Sequence, residues 1–349
     1  MKRVEVKASR NYDVLIGSNI LGNISEAVSP SQKVAVVTEE TVASYHLETL
    51  RKQLKDLGTE AEVFVFEPGE QSKNIAVLAD ILEWLAGIGM SRGDMLIALG
   101  GGVTGDLAGF AAAVFLRGIS FVQIPTTFLA AIDSSVGGKT AIDLKAGKNL
   151  AGSFYQPVQV ICDLDLLKTL KPETFAEGTA EAIKYGILGD GNLFAQIKDG
   201  QTTTNLEAII CRCVEMKRDV VEDDEFDTGQ RQLLNLGHTF GHCIEKLSNF
   251  AVSHGHAVAV GLALIARAAA AFGHLSEADR DEIIAALQAN DLPTFCEYGW
   301  EDMMKVMRQD KKRRGDRLTL IIPTGIGTCI LHPVTMEEAG EYLLAGLRN

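Results

Sequence analysis

Positive charge is scarce in this sequence. Its 349 residues contain 33 Lys and Arg against 46 Asp and Glu, which gives a formal net charge of −13. The longest basic run is the tetrapeptide Lys-Lys-Arg-Arg at 311–314. Nucleic acids and anionic membrane surfaces are bound through basic clusters, so neither is an expected partner. A site for a small anion must therefore be assembled locally from individual Lys, Arg and His side chains.

Cysteine and proline are also few. The six Cys are scattered without a C-x-x-C pair, and the N-terminal segment MKRVEVKASRNYDVLIG has no apolar run typical of a secretion signal. We therefore expect reduced thiols and a cytoplasmic location. Eight Pro and 46% apolar residues argue against extensive disorder. The longest apolar stretches, 96–116 and 257–272, contain the charged residues Asp106 and Arg267, so we interpret them as buried segments of a soluble protein rather than membrane spans.

Strand and helix signals alternate in the first half of the chain, whereas helical periodicity dominates the second half. Strands are expected at 33–38, 62–67, 95–99 and 121–124, and helices at 47–57, 74–89 and from about 105. After about residue 165, helices are expected at 173–188, 206–222, 231–247, 257–272 and 278–289, with strands at 318–322 and 328–331. The sequence predicts an α/β fold: a Rossmann-like parallel-sheet domain at 1–165, then a mainly α-helical domain at 166–349.

A glycine pattern follows the predicted strand at 95–99. Gly100, Gly102 and Gly105 fit G-x-G-x-x-G between a strand and a helix. Glycines in this position let the backbone approach a pyrophosphate, and the helix N-terminus supplies N–H donors. The pattern does not lie on the first βα unit, so a phosphate-binding loop and plain tight packing both remain open.

The segment 133–140 (DSSVGGKT) nearly matches a P-loop. Asp133 stands where the first glycine of that motif is required, and no clear strand precedes the segment. We therefore reject ATP hydrolysis. Lys139 is interpreted either as a positioned cation or as a solvated surface lysine.

Histidines cluster between residues 238 and 256. His238 and His242 are four residues apart, which places both on one helical face, and His254 and His256 follow. A zinc protease motif would require Glu at 239, where this chain has Thr. Two histidines and one carboxylate suit a catalytic divalent metal such as Zn²⁺, so we predict a metal-binding domain. The carboxylate is left open among Glu177, Glu181, Glu222, Asp223 and Asp224.

A polar stripe accompanies these histidines. Arg231, Asn235, His238 and His242 are spaced by four, three and four residues, and Lys217 lies upstream. On one helix these side chains would share a face. The stripe is interpreted as the lining of an anion-binding cleft, with a solvated helix face as the alternative.

Several blocks together resemble the 3-dehydroquinate synthase family. They occur in the order found in that family and span most of the chain. The blocks are 68–73 (PGEQSK), 100–110 (GGGVTGDLAGF), 125–143 (PTTFLAAIDSSVGGKTAID), 147–149 (GKN), 180–186 (AEAIKYG), 233–245 (LLNLGHTFGHCIE), 254–261 (HGHAVAVG) and 310–312 (DKK).

The resemblance implies which residues form the sites. It implies metal ligation by Glu181, His238 and His254. The implied NAD contacts are Glu70, Lys73, Gly101, Gly102, Val103, Gly105, Asp106, Thr126, Thr127, Asp133, Lys139, Lys148, Leu166 and Thr169. The implied substrate contacts are Lys139, Asn149, Lys184, Lys217, Arg231, Asn235, His242 and Lys312. It also implies a homodimer in which Arg117 reaches the site of the neighbouring subunit.

The implied activity is conversion of 3-deoxy-D-arabino-heptulosonate 7-phosphate to 3-dehydroquinate and phosphate, a step of the shikimate pathway toward aromatic amino acids. It would use catalytic NAD and a divalent metal, Zn²⁺ or Co²⁺. Alternatives are another NAD- and metal-dependent sugar-phosphate cyclase, a polyol dehydrogenase of similar fold, and a non-catalytic NAD-binding relative. Lys217 and Arg231 favour the synthase, because a sugar without a carboxylate has nothing to pair with them.

Two positions depart from the family pattern. His256 stands where the family usually has Glu, although the expected ligand His254 is kept. Glu39 replaces an Asp or Asn that commonly faces the nucleotide ribose, and its carboxylate can still accept a hydrogen bond from a hydroxyl.

Overall fold

The computed structural model describes residues 1–308 and 317–348. These residues form two compact units. The first unit contains Met1–Leu170 and Lys217–Phe226, and the second contains Lys171–Met216 and Asp227–Asn349. The helix at 206–223 therefore begins in the second unit and ends in the first. A boundary between independently folding domains at 165/166 stays a prediction.

The first unit is an α/β structure. Its strands are β1 (Lys2–Val6), β2 (Tyr12–Gly17), β3 (Val34–Glu39), β4 (Ala61–Phe66), β5 (Met95–Gly100), β6 (Ser120–Pro125), β7 (Lys139–Leu144), β8 (Gly147–Phe154) and β9 (Gln159–Asp163). Its own helices are α1 (Glu40–Val42), α2 (Glu48–Asp56), α3 (Ile75–Gly87) and α4 (Gly102–Val114). Among the described residues a seven-stranded sheet has the order β1-β2-β9-β6-β5-β3-β4. Only the β1–β2 pair of this sheet is antiparallel, so the predicted Rossmann-like parallel sheet is confirmed.

Apolar side chains cover both faces of this sheet. In β5, Ile97 and Leu99 belong to one core cluster, to which α2 contributes, and Leu96 and Ala98 belong to another, to which α3 and α4 contribute. The alternation follows from the two-residue side-chain period of a strand. Burial on both faces explains why β3 and β5 are nearly continuous apolar runs in the sequence.

The topology of the sheet reverses at β3, which lies between β4 and β5. The chain moves from β3 outward to β4 and then returns to the other side of β3. Ligands of open parallel sheets bind beyond the carboxyl ends of the strands at such a reversal. The glycine loop at 100–102 follows β5, directly beside this point.

An antiparallel hairpin of β7 and β8 was not predicted from the sequence. The residues of β8 alternate between partial and full exposure, and none is buried. The segment therefore lacks the apolar run by which β3, β5 and β6 were recognised. The hairpin begins at Lys139 and carries Asn149.

The second unit is mainly helical. Its elements are α5 (Pro172–Gly189), α6 (Gly191–Lys198), the start of α7 (Leu206–Asp223), α8 (His238–Leu247), α9 (His254–Ala271), α10 (Glu277–Ala289), α11 (Trp300–Met307), β10 (Arg317–Gly325), β11 (Thr328–Thr335) and α12 (Met336–Leu347). Helix α9 packs against α5, α8, α10 and α12. By length and composition α9 is apolar enough to cross a membrane, but 72% of it is buried within the structure, as for a core helix.

The predicted single helix over 231–247 is wrong. A 3₁₀ helix covers Gln230–Asn235, Gly237 adopts a left-handed conformation with φ 78°, and α8 starts afresh at His238. Arg231 and Asn235 therefore do not share a helical stripe with His238 and His242. Helix α9 approaches this break closely at Gly261, where a Cβ would lie 2.0 Å from the carbonyl oxygen of Gly237.

Candidate metal and nucleotide sites

Three side chains from three helices converge in the second unit. Glu181 lies within α5, and His238 and His254 are the first residues of α8 and α9. Glu181 Oε1 is 3.5 Å from His238 Nε2 and 3.3 Å from His254 Nε2. Two ligands that bind Zn²⁺ tetrahedrally at about 2.1 Å lie about 3.4 Å apart. One donor atom of each residue lies within 4.8 Å of the other two, so the cluster has the dimensions of a metal site.

The other ring nitrogen of each histidine is also held. His238 Nδ1 lies 3.0 Å from the carbonyl oxygen of Leu236, which accepts a hydrogen bond only if Nδ1 carries the proton. His254 Nδ1 lies 3.5 Å from Glu245 Oε2. Both rings thus present Nε2 to Glu181. Such support of the distal nitrogen is the usual arrangement around metal-binding histidines.

The electrostatics of the cluster favour bound positive charge. Burial lowers the pKa of His238 to about 3, which leaves its ring neutral and able to ligate. Burial also lowers the pKa of His254, but hydrogen bonds with Glu181 and Glu245 outweigh this effect and raise it to about 10. Two buried carboxylates therefore hold a cation at the His254 ring. A divalent metal bound to one carboxylate and two imidazoles would satisfy the same demand.

The carboxylates that the residue pattern left open differ in their distance from the histidines. Glu181 is fully buried and belongs to the histidine cluster. Glu177, one turn earlier, is only partly exposed, and burial raises the pKa of its carboxyl group. Glu222 lies in the first unit, where it accepts a hydrogen bond from the backbone N–H of Lys7. Neither Glu177 nor Glu222 to Asp224 falls in a metal-type group among the described residues.

Several expected substrate-binding groups lie in the same unit. Lys184 Nζ is 2.5 Å from Glu181 Oε2, and both side chains are buried. The His242 and His238 rings meet edge to face with centroids 5.4 Å apart. Arg231 is also buried, and Asn235 donates a hydrogen bond to the carbonyl of Gln232. Lys312 lies outside the described residues.

Sequence reasoning did not single out Glu245. Its carboxylate is 3% exposed and faces two histidines, His254 Nδ1 at 3.5 Å and His242 Nε2 at 4.0 Å. The spacing of His238, His242 and Glu245 by four and three residues places all three on one face of α8, and this signal could have revealed it.

The first unit carries the expected nucleotide residues at the carboxyl ends of its parallel strands. Gly101 is the N-cap of α4, and Gly102 and Val103 form its first turn, so their N–H groups are available at the helix start. Gly105 permits close packing of α4 on the sheet, because a Cβ there would lie 2.6 Å from Gln123 Oε1. Backbone approach to a pyrophosphate and close helix–strand packing are two of the three uses of glycine in a dinucleotide-binding turn.

The two threonines after β6 differ in their contacts. Thr127 Oγ1 accepts a hydrogen bond from the backbone N–H of Ala130. Thr126 Oγ1 is buried and has no hydrogen-bond partner among the described residues. A buried hydroxyl without a partner costs about 1–3 kcal/mol. Thr126 therefore suits contact with a polar ligand.

Ion pairs link the expected nucleotide residues to the expected substrate residues of this unit. Lys73 Nζ lies 2.5 Å from Asp106 Oδ2 and donates a hydrogen bond to Asn149 Oδ1 at 2.6 Å. Lys217 Nζ lies 2.9 Å from Asp133 Oδ1. The remaining expected residues here are Glu70 and Lys148, whose charged groups are 3.4 Å apart, and the exposed Lys139.

After β9, Leu166 and Thr169 lie on a 3₁₀ turn. Thr169 Oγ1 donates a hydrogen bond to the carbonyl of Leu166, and His46 Nε2 lies 2.9 Å from the same hydroxyl oxygen. His46 must therefore donate to Thr169 from Nε2. Sequence reasoning missed His46, and its isolated position in the chain gave no signal.

The two departures from the family pattern have local partners. The Glu39 carboxylate accepts hydrogen bonds from the backbone N–H groups of Thr41 and Val42, so it caps α1. His256 Nδ1 lies 3.0 Å from Ser253 Oγ at the start of α9.

Comparison with known proteins agrees with this geometry. A family model for the N-terminal part of 3-dehydroquinate synthase matches residues 63–177, and one for its C-terminal part matches residues 178–313. The 3-dehydroquinate synthase of Caulobacter vibrioides is 44% identical over 91% of both chains.

Two solved structures have similar folds at 25% identity. One is 2-deoxy-scyllo-inosose synthase complexed with carbaglucose-6-phosphate, NAD⁺ and Co²⁺, with a TM-score of 0.88 over 98% of this chain and 99% of that one. The other is 2-epi-5-epi-valiolone synthase from Streptomyces hygroscopicus with NAD⁺ and Zn²⁺ bound, with a TM-score of 0.89 over 99% of both chains.

The class of protein follows from the parallel-sheet unit with its glycine turn, the helical unit with its Glu-His-His cluster, and these similarities. It is an enzyme, a carbon–oxygen lyase acting on a phosphate-bearing substrate. Within that class, the chain belongs to the 3-dehydroquinate synthase family, and its activity is the one for which the family is named.

Proposed function

We propose that the chain forms 3-dehydroquinate and phosphate from 3-deoxy-D-arabino-heptulosonate 7-phosphate, with a divalent metal held by Glu181, His238 and His254. The observation that carries the proposal is the convergence of these three donors at distances of 3.3 and 3.5 Å from the shared Glu181 oxygen. Neutral imidazole and carboxylate ligands suit Zn²⁺, and Co²⁺ accepts the same set.

The nucleotide is assigned to the first unit. The start of α4, which follows β5, would hold the pyrophosphate of NAD. The buried Thr126 hydroxyl follows the neighbouring strand β6 and offers a hydrogen-bonding group. Two solved relatives contain NAD⁺ together with Co²⁺ or Zn²⁺, which supports both cofactors here. When bound, NAD accepts and returns a hydride, and the metal polarises the hydroxyl that is oxidised.

The chain's own residues bind and orient a substrate with two anionic groups, a carboxylate and a phosphate. In the second unit, Lys184 and Arg231 are buried cations, and an arginine can pair with a carboxylate or a phosphate through two parallel hydrogen bonds. In the first unit, Lys217 is a third buried cation. We assign His242, 39% exposed, to hydrogen bonding with substrate oxygens. Oxidation, phosphate elimination, reduction, ring opening and aldol closure then leave NAD unchanged overall.

We also propose a homodimer in the cytoplasm, in which Arg117 contributes to a neighbouring subunit's site. Leu116 and Arg117 have φ of 50° and 68°, left-handed values that non-glycine residues rarely adopt. Both are exposed, and strained backbone concentrates at functional positions. Sedimentation analysis of the wild type, and mixing of an Arg117→Ala variant with a variant inactive at another residue, test the shared site. Recovery of activity on mixing is expected; a monomeric active enzyme would overturn it.

The function is tested by phosphate release from the heptulosonate phosphate, with NAD⁺ and Zn²⁺ present or removed. Mass spectrometry identifies the second product in the same sample. We expect equal amounts of phosphate and 3-dehydroquinate, dependence on metal, and full turnover with less NAD⁺ than substrate. Absence of phosphate release would direct the test to other sugar phosphates, the substrates of a different cyclase. Accumulation of free NADH would instead indicate a dehydrogenase.

A further inference from the structure

Buried carboxylates are few among the described residues, and one of them has no role so far. They are Asp163, Glu181 and Glu245. Asp163 accepts hydrogen bonds from the backbone N–H groups of residues 19–21 and so joins two segments of the first unit. Glu181 is the proposed metal ligand. Glu245 remains, and a buried carboxylate is retained at a cost of several kcal/mol unless it is paired.

The position of Glu245 relative to His254 is specific. His254 turns Nε2 toward Glu181, at 3.3 Å, and Nδ1 toward Glu245, at 3.5 Å. The two carboxylates thus lie at opposite nitrogens of one ring. The Glu245 carboxylate also lies 4.0 Å from His242 Nε2. It therefore touches both a proposed metal ligand and a proposed substrate-binding residue.

We propose that Glu245 is a positioning residue for the metal centre. Its carboxylate receives the Nδ1–H of His254, which fixes the ring orientation and leaves the Nε2 lone pair for the metal. The proposal rests on the metal site of the proposed function and adds a residue that does not itself ligate.

His238 provides the internal comparison. Its Nδ1 lies 3.0 Å from the backbone carbonyl of Leu236, in the residues immediately before α8. The orientation of His238 is therefore fixed by the fold of its own segment. His254 is the first residue of α9, and its Nδ1 faces a side chain of another helix, Glu245 of α8. A substitution at Glu245 can thus release His254 while leaving the support of His238 intact.

The test compares Glu245→Ala and Glu245→Gln in the full-length protein. Zn²⁺ affinity is measured by competition with a chromogenic chelator, and the visible spectrum of the Co²⁺-loaded protein reports ligand geometry. Loss of a partner of this kind typically weakens metal binding by about 10–100-fold. We expect a loss in that range for the Ala variant, together with a changed Co²⁺ spectrum. The Gln variant keeps an acceptor oxygen and should lie between Ala and wild type.

A matched control separates positioning from general destabilisation. Glu338 lies in the same unit, in α12, where its carboxylate accepts a hydrogen bond from the backbone N–H of Thr335. Glu338→Ala removes this hydrogen bond and should lower thermal stability without changing Zn²⁺ affinity. Wild-type affinity and spectrum in both Glu245 variants would overturn the positioning role while the metal site stands. A wild type that binds neither Zn²⁺ nor Co²⁺ would overturn the site itself. If the Ala variant does not fold, the Gln variant decides.

Discussion

Removal of the Lys184 ammonium group should destabilise the metal-free protein strongly and the metal-loaded protein less. Lys184 Nζ and Glu181 Oε2 are 2.5 Å apart, and the two side chains are 1% and 0% exposed. In Lys184→Met the Glu181 carboxylate keeps its burial but loses this cation. Because a divalent metal supplies positive charge to the same carboxylate, metal binding should restore most of the lost stability.

The magnitude follows from the burial of the pair. Breaking a buried ion pair by removing one partner costs about 3–5 kcal/mol, and water does not screen a pair as enclosed as this one. For a unit of about 150–250 residues, that cost corresponds to a fall of about 6–20 °C in Tm. Metal at 100 times its Kd stabilises a folded protein by about 2.7 kcal/mol. The gain from metal should be larger in the variant, since Glu181 has lost one of the two cations beside it and the metal restores positive charge there.

Thermal unfolding with chelator and with excess Zn²⁺ measures both effects. Lys198→Met is the matched control, because Lys198 pairs with Glu282 at 2.7 Å with side chains 35% and 49% exposed. An exposed pair contributes about 0–1 kcal/mol, so this control should change Tm little under either condition. Equal losses at the two lysines, or a Zn²⁺ shift no larger in Lys184→Met than in the wild type, would refute the reasoning.

Four further outcomes are expected. His238→Ala should abolish metal binding and activity; normal turnover of a metal-free variant would contradict its assignment as a ligand. Arg231→Ala should weaken substrate binding far more than NAD binding, as measured by calorimetric titration of each; equal losses would count against a role in anion binding. Burial lowers the pKa of His46, so folding favours its neutral ring. The stability that His46 contributes is therefore complete above its unfolded pKa of about 6.5 and is lost as the pH falls below that value. Between pH 7 and pH 5 the Tm of His46→Gln should therefore fall less than the Tm of the wild type. The same dependence of Tm on pH in both proteins would argue against titration of this residue. Thr335→Ala removes the hydroxyl that caps α12 and should cost about 1 kcal/mol without changing metal affinity.

The sequence predicted the parts of the fold in which local pattern and burial coincide. Strands β3, β5 and β6 are nearly continuous apolar runs, and each was expected within about two residues of its observed bounds. The hairpin of β7 and β8 was missed because its register depends on pairing between strands that bury little surface. The break at Gly237 was missed for a different reason. Gly237 turns into a left-handed conformation where α9 approaches at Gly261, and a contact so distant in sequence leaves no mark on the helical period.

In the candidate site, too, the sequence predicted some residues, whereas others depended on how the helices pack. The clustering of histidines in one segment predicted a metal site, and the family resemblance implied His238 and His254 as its ligands. The residue pattern left Glu181 and Glu177 open, because the two lie on the same helical face one turn apart. The resemblance implied Glu181, and in the structure Glu181 lies beside both histidines whereas Glu177 does not belong to that cluster. Spacing within α8 would have pointed to Glu245, whereas the contact of its carboxylate with the ring of His254 depends on how α8 and α9 pack.

The buried cations are the groups through which we propose that an acidic chain binds an anionic substrate. Among the described residues, the buried lysines and arginines are Lys73, Lys184, Lys217 and Arg231. Each of the three lysines lies within 2.5–2.9 Å of a carboxylate. Such pairs are often no more stabilising than apolar side chains of similar volume, so stability alone gives little reason for a fold to contain them. All four belong to blocks or positions that the sequence assigned to nucleotide or substrate. The net charge of −13 describes the chain as a whole, whereas the field in the proposed site depends on the few charged groups enclosed there.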